Sequence, residues 1–92
     1  MLEFDWDDHN LKHISEHNVT AREAEQVLEG PTLDIEYQDW HEGERFAEAG
    51  VTAMGRVLVV ITTWRDLRIR VVTAYDAPKH VVEEYLRVRG QG

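Results

Sequence analysis

At Gly30-Pro31 the apolar residues of this chain switch from helical to alternating spacing, and that switch limits what it can fold into. Before it, apolar positions recur at helical intervals. Leu11 and Ile14 form the inner side of one short segment, and Ala24, Val27 and Leu28 form that of a second. Asp7 stands where a carboxylate can accept from the free N–H groups of a first helical turn, predicting a helix from there to about His17. Thr20-Ala21-Arg22-Glu23 reads as a capping box for the second helix, which Gly30-Pro31 stops. Ahead of both, Leu2, Phe4 and Trp6 alternate with Glu3 and Asp5, a short strand pattern.

Beyond residue 32 the period is two. Leu33, Ile35 and Tyr37 alternate with acidic positions, and a loop at Asp39 to Gly43 leads into a strand over Glu44 to Val51. A turn at Thr52 to Gly55 joins this to Arg56 to Trp64, the most apolar strand and so the expected central one. Arg65-Asp66-Leu67 connects tightly to Arg68 to Tyr75. A closing helix is expected from Ala77 to Arg89, capped by Asp76, with Pro78 in its first turn and Val81, Val82, Tyr85, Leu86 and Val88 buried. The order is β-α-α-β-β-β-β-α. Hairpin-linked strands after two helices imply an antiparallel sheet packed by helices, an α+β fold in one small domain over residues 1–92.

Charge is divided unevenly along the chain. Residues 1–46 hold thirteen Asp/Glu against three Lys/Arg, a balance of −10, whereas residues 47–92 hold five against seven, a balance of +2. Nucleic-acid binding draws on basic surface, so any phosphate contact here must come from a local cluster. The acidic half would suit a basic protein partner, or simply solubility. With no cysteine there is neither disulfide nor thiolate chemistry. No apolar run approaches the ~20 residues of a membrane span, and the N-terminus lacks the basic region of a signal peptide, so a soluble cytoplasmic domain is expected.

From about residue 3 to residue 86 the chain resembles the BrnT family of toxins. The resemblance is carried by Phe4-Asp5-Trp6-Asp7, Glu16-His17-Asn18-Val19-Thr20 with Glu23-Ala24 and Val27-Leu28, and Gly30-Pro31. It continues through Asp39-Trp40-His41-Glu42-Gly43-Glu44-Arg45-Phe46, Gly50, Gly55-Arg56-Val57-Leu58-Val59-Val60 and Arg68-Ile69-Arg70-Val71-Val72-Thr73-Ala74. It implies a RelE-like fold, ribonuclease activity in a bacterial type II toxin–antitoxin system, and a ribbon-helix-helix antitoxin as partner. Glu16 stands where the family commonly has Lys, and Tyr75 where it has Arg. Asn18 replaces a Gly that would adopt a left-handed backbone, a conformation Asn tolerates.

RNA cleavage without a metal needs a base for the 2′-OH, an acid for the leaving 5′-oxygen, and a cation for the phosphate. Arg68 and Arg70, two apart on a strand, project from one face, with Arg65 in the adjoining turn and Arg45 on a neighbouring strand. They form either a phosphate cradle, with Arg65 and Arg68 as phosphate ligands and Arg45 and Arg70 as catalytic cations, or a solvated face paired with Glu42, Glu44 or Asp66. Glu44 is the leading carboxylate base, although a regular strand turns it away from Arg45. His17 or His41 would supply the imidazole, with His17 equally able to cap carbonyls or pack on Trp6. His9, His13 and His17 could pairwise share a divalent ion, but eight residues of helix span ~12 Å, so all three cannot, and no metal or other cofactor is expected. Trp6 and Trp64 are expected in the core, and Trp40 in a loop suited to anchoring a partner.

The leading expectation is therefore a small endoribonuclease held inactive by its antitoxin. A partner-binding module of the same fold with weakened catalysis stays open, as does a homo-oligomer formed through an exposed edge strand.

Overall fold

A computed structural model describes residues 2–35 and 44–90. Tyr37, Trp40, His41, Glu42 and the Asp39 to Gly43 loop lie outside the described residues. The elements are α1 (Asp8–Ser15), α2 (Ala21–Glu29), β1 (Leu33–Ile35), β2 (Phe46–Val51), β3 (Val57–Arg65), β4 (Arg68–Asp76) and α3 (Lys79–Gly90). The strands form one antiparallel sheet in the order β1-β2-β3-β4.

Both expected helix starts are formed. The Asp7 carboxylate accepts from the backbone N–H of His9 (3.0 Å) and Asn10 (3.1 Å), and the Asn10 side chain accepts from the Asp7 N–H. Thr20 and Glu23 exchange the same reciprocal bonds at the head of α2. Asn18, at φ 58°, supplies the left-handed turn between the two helices. The inner side of α1 is not as expected, since Leu11 is exposed and Asn10 is buried beside Ile14. Asn10 earns its burial by donating from Nδ2 to the carbonyls of Asp5 (3.0 Å) and Val71 (3.1 Å). It thereby ties the N-terminal segment, α1 and β4 together.

The sheet is covered on both faces. Against one, Ile14, Val19, Ala24 and Val27 pack on Leu58, Val60, Val71 and Ala74. Against the other, Val81 and Tyr85 of α3 pack on Ala47, Ala49, Val59 and Ile61. Being covered twice, β3 is buried from Leu58 to Thr62, which is why its sequence is nearly continuous in apolar residues.

Several expectations are corrected. The strand at Leu2 to Trp6 reduces to one parallel bridge, Phe4 to Ile69, with Asp5 N–H donating to Ile69 and Ile69 N–H to Glu3. The chain enters α1 three residues after Asp5, leaving room for no further rung. Trp64 is 60% exposed, because the helices leave its end of the sheet uncovered. Trp6 does pack against the core, its indole N–H donating to Glu25 at 2.8 Å. α3 begins at Lys79, after Pro78, and Asp76 does not cap it; the Asp76 carboxylate instead accepts from Arg56 Nε at 2.7 Å. Leu86 and Val88 are exposed, since the helix meets the sheet only along the Val81–Tyr85 side.

One irregularity decides the site. Ile61 pairs with Thr73 but Thr62 pairs with Val71, so Val72 is an extra residue in β4. In a regular strand Arg70 would share a face with Ala74 and point beneath α1 and α2. The bulge reverses the alternation, placing Arg70 opposite Thr63 on the α3 side.

Candidate functional site

Beyond the reach of α3, the second face of the sheet ends in a row of polar side chains. Thr63 and Arg70 are cross-strand partners on β3 and β4, and Arg65 and Arg68 are the next pair on that face. Arg45 precedes β2 directly, alongside Thr63. Arg45, Thr63 and Arg70 line a cleft of about 290 Å³ with Val71 and Val72, and the first turn of α1 closes it with His9 and Asn10. Three strands and a helix start thus bring two guanidinium groups, a hydroxyl and an imidazole to one place. The Thr63 hydroxyl donates to the Glu44 carbonyl at 2.9 Å, fixing the chain where it enters β2.

Arg70 is the anchor of this cleft, with a side chain 14% exposed. Its Nη2 donates to Asp7 Oδ1 at 3.2 Å, and its Nη1 lies 3.1 Å from Asp7 Oδ2 and 3.5 Å from Asp5 Oδ2. Those last two are ion-pair distances without hydrogen-bond alignment, so Nη1 is buried with its donors unsatisfied. The same pairing lowers the Asp7 carboxyl below its ordinary range, chiefly through the Arg70 hydrogen bond and then the Asn10 N–H. Arg65 joins from the hairpin, its Nε 3.6 Å from Asp5.

The arginines expected to share a face therefore do so, and among the described residues the carboxylates on Arg70 and Arg65 are Asp5 and Asp7, not Glu44 or Asp66. Glu44 is exposed and does not line the cleft. His17 is not brought to it either. It follows the C-terminal end of α1, its ring 5.9 Å from that of His13 and 6.1 Å from Tyr75, while its carbonyl accepts from Arg56 Nη2. Asp7 and His9 stand at the opposite end of that helix, ~15 and ~12 Å away at 1.5 Å per residue. Among the described residues, the imidazole that lines the cleft is His9. In the sequence it stands only as the first of three histidines spaced four apart, His9, His13 and His17. Its one signal was its place two residues after a capping aspartate, which has meaning only once Arg70 is known to reach that aspartate. Among the described residues no group of three His, Cys, Asp or Glu side chains is placed to hold a metal ion, and no helix is long and apolar enough to cross a membrane.

A second charged cluster lies at the other end of β3. Arg56 donates to Asp76, to Glu23 (3.2 and 3.3 Å) and to the carbonyls of Asn18 (2.7 Å) and His17 (3.3 Å). It fastens the α1–α2 turn to the sheet, and with all three guanidinium nitrogens donating to the protein it serves structure.

Comparison with protein families gives a match over residues 6–80 to the model described as ribonuclease toxin, BrnT, of type II toxin–antitoxin systems. No curated protein and no solved structure matches the chain. The matched span runs from Trp6 through both helices and all four strands into the start of α3, and includes every described residue that lines the cationic cleft. The chain belongs to the BrnT family of type II toxin–antitoxin ribonuclease toxins, and so to proteins that work with an antitoxin partner.

Proposed function

We propose that this chain is an endoribonuclease that cuts RNA without a metal, with the scissile phosphate held between Arg45 and Arg70. The observation that carries the reading is the convergence of Arg45, Thr63, Arg70 and His9 on one cleft. Two planar guanidinium forks can bind the non-bridging phosphate oxygens and offset the charge that develops as phosphorus becomes five-coordinate. Arg65 and Arg68 extend the same face along the path of the strand. A base takes the 2′-OH proton, the O2′–P bond forms, the P–O5′ bond breaks, and an acid protonates the departing 5′-oxygen. His9, being an imidazole with one donor and one acceptor nitrogen, can serve as base or as acid. Glu44, adjacent in the chain to Arg45, is the carboxylate proposed as base, since Asp5 and Asp7 are held in ion pairs with Arg70. His17, placed with His13 and Tyr75, would act only on RNA that extends along α1.

The antitoxin is proposed to be a ribbon-helix-helix protein with a basic segment that answers the acidic N-terminal half. A second reading, a partner-binding module with weakened catalysis, is favoured by one observation: Arg70 already has Asp5 and Asp7 against it. The two readings separate on cleavage of a mixed single-stranded RNA by the metal-free protein. Endonuclease action gives fragments whose yield falls at least tenfold, as is usual on removal of a phosphate-stabilising donor, in both Arg45→Ala and Arg70→Ala. The first of these variants removes none of the Asp5 and Asp7 pairing. Absence of cleavage by the folded wild-type protein, free or with ribosomes, would leave the module.

A further inference from the structure

On the other face of the same sheet end lies a groove of about 270 Å³ that the cationic cleft does not use. It is lined by Leu2, Leu28, Phe46, Glu48, Thr62, Trp64 and Ile69. Helices α1 and α2 cover this face only as far as Val60 and Val71, and beyond that point Leu2 and Leu28 are its walls. Three of the lining residues are large and substantially exposed: Leu2 at 39%, Phe46 at 42% and Trp64 at 60%. A contiguous apolar patch on a chain this small marks an interaction surface.

Charge identifies the occupant. Among the described residues, the only charged one that lines it is Glu48. Its cross-strand partner is Asp34, which puts two carboxylates opposite each other on the groove's own face. Glu3 and Glu29, both exposed, follow Leu2 and Leu28 in the chain. Like charges directly opposed across a strand pair cost the free protein stability, and a cationic partner would turn that cost into attraction. A second copy of this chain, acidic itself at a net charge of −8, answers the surface poorly.

We propose that this groove is the docking site of the antitoxin. It would receive an amphipathic segment whose apolar side chains enter between Leu28, Phe46 and Trp64 while flanking Lys or Arg residues meet Glu48 and Asp34. The identity of the partner rests on the family's pairing with an antitoxin; the groove and its chemistry stand without the ribonuclease reading. An occupant here would sit one sheet thickness from the Arg45–Arg70 cleft, with its flanks able to reach around the β3–β4 hairpin.

The probe is a labelled amphipathic helical peptide with leucines on one face and lysines flanking them, beside a version with glutamates in place of the lysines. The full chain should bind the lysine peptide and not the glutamate peptide. Trp64→Ser and Phe46→Ser should each weaken binding at least about tenfold, as central aromatic anchors do. Asp34→Asn with Glu48→Gln should weaken it several-fold at low salt, and Leu86→Ser, an equally exposed site on α3, should leave it unchanged. Thermal melts establish that each variant is folded. Undiminished binding by folded Trp64→Ser and Phe46→Ser, or equal binding of both peptides, would overturn the proposal. So would a dimer of the free chain that Trp64→Ser converts to monomer, because a second copy would then fill the groove. RNA cleavage by Trp64→Ser should match wild type; loss of peptide binding with cleavage intact, or the reverse, tells failure of one reading from failure of the other.

Discussion

Gly50 lies on β2 beneath α2, and replacing it with alanine tests how closely helix and sheet are fitted. A Cβ at this position would stand 2.8 Å from Val27 Cγ1, 3.3 Å from the Val27 carbonyl oxygen and 3.5 Å from that of Pro31. Val27 is fully buried and β-branched, so its side chain cannot rotate away without striking its neighbours. Either α2 lifts from the sheet or the valine is forced off its rotamer. Overpacking of this kind costs about 1–3 kcal/mol. At about 4–8 °C per kcal/mol for a domain of this size, 2 kcal/mol lowers Tm by about 8–16 °C. Val27→Ala alone should cost about 2 kcal/mol through lost burial and the space it leaves. Combined, the two changes should cost well under their sum, because the new methyl enters the volume that Cγ1 vacated. The coupling should exceed 1 kcal/mol, beyond the about 0.3–0.5 kcal/mol within which independent sites add. Urea unfolding of the four proteins, followed by circular dichroism, gives the cycle. A Gly50→Ala protein within about 0.5 kcal/mol of wild type, the span usual for substitutions that touch nothing critical, would refute the close fit, as would strict additivity. Leu28, a wall of the apolar groove, rides on the same helix, so lifting α2 should also weaken the lysine peptide.

Leu67 occupies the left-handed region (φ 64°) in the β3–β4 turn after Asp66 (φ 53°), and is 91% exposed. Leu67→Gly should therefore stabilise the free chain by about 1 kcal/mol in the same unfolding assay, since an Asp-Gly pair suits a turn with both central residues left-handed. The carboxyls of Asp7, Glu23 and Asp76 are lowered from 3.8, 4.5 and 3.8 respectively, by Arg70, by the Thr20 N–H together with Arg56, and by Arg56. Folded values below the unfolded ones mean stability that is complete above about pH 4.5 and is lost as pH falls through the folded values; melts across that range should show it. Arg56→Met should lower stability by about 1–2 kcal/mol, its ion pairs being discounted for partial exposure, and should flatten the acid limb of that profile. Asp7→Asn keeps a residue able to cap α1 while removing the charge that faces Arg70. Titration with a short RNA at low salt should show several-fold tighter binding, and weaker binding would mean that Asp7 orients Arg70 instead of competing with phosphate.

Much of this molecule was legible in the sequence because the forces involved are local. Asp7 and Thr20-x-x-Glu23 identify their helices since capping bonds span only three residues. The run from Leu58 to Ile61 identifies a central strand since only a strand covered on both faces is apolar throughout. The shared face of Arg68 and Arg70 follows from the two-residue period of a strand. Other features depend on what each element meets. Trp64 and Leu86 are apolar yet exposed, because the helices that might have covered them end too soon or face elsewhere. Asp76, a fitting helix cap by position, is drawn to Arg56, twenty residues away in the chain.

The chemistry of the site was decided at the tertiary level. The sequence contains Arg45, Arg70 and His9, and fixes their types, but a side chain's face is the parity of its strand position, and one added residue inverts it. No glycine marks Val72 as the extra residue of β4; only the packing of Val71 and Ala74 together beneath α1 and α2 requires the bulge. That one-residue shift carries Arg70 out from under the helices and into the cleft beside Arg45. There Asp5, Asp7 and His9 reach it only because Phe4 bridges the edge of β4 and α1 begins directly afterwards.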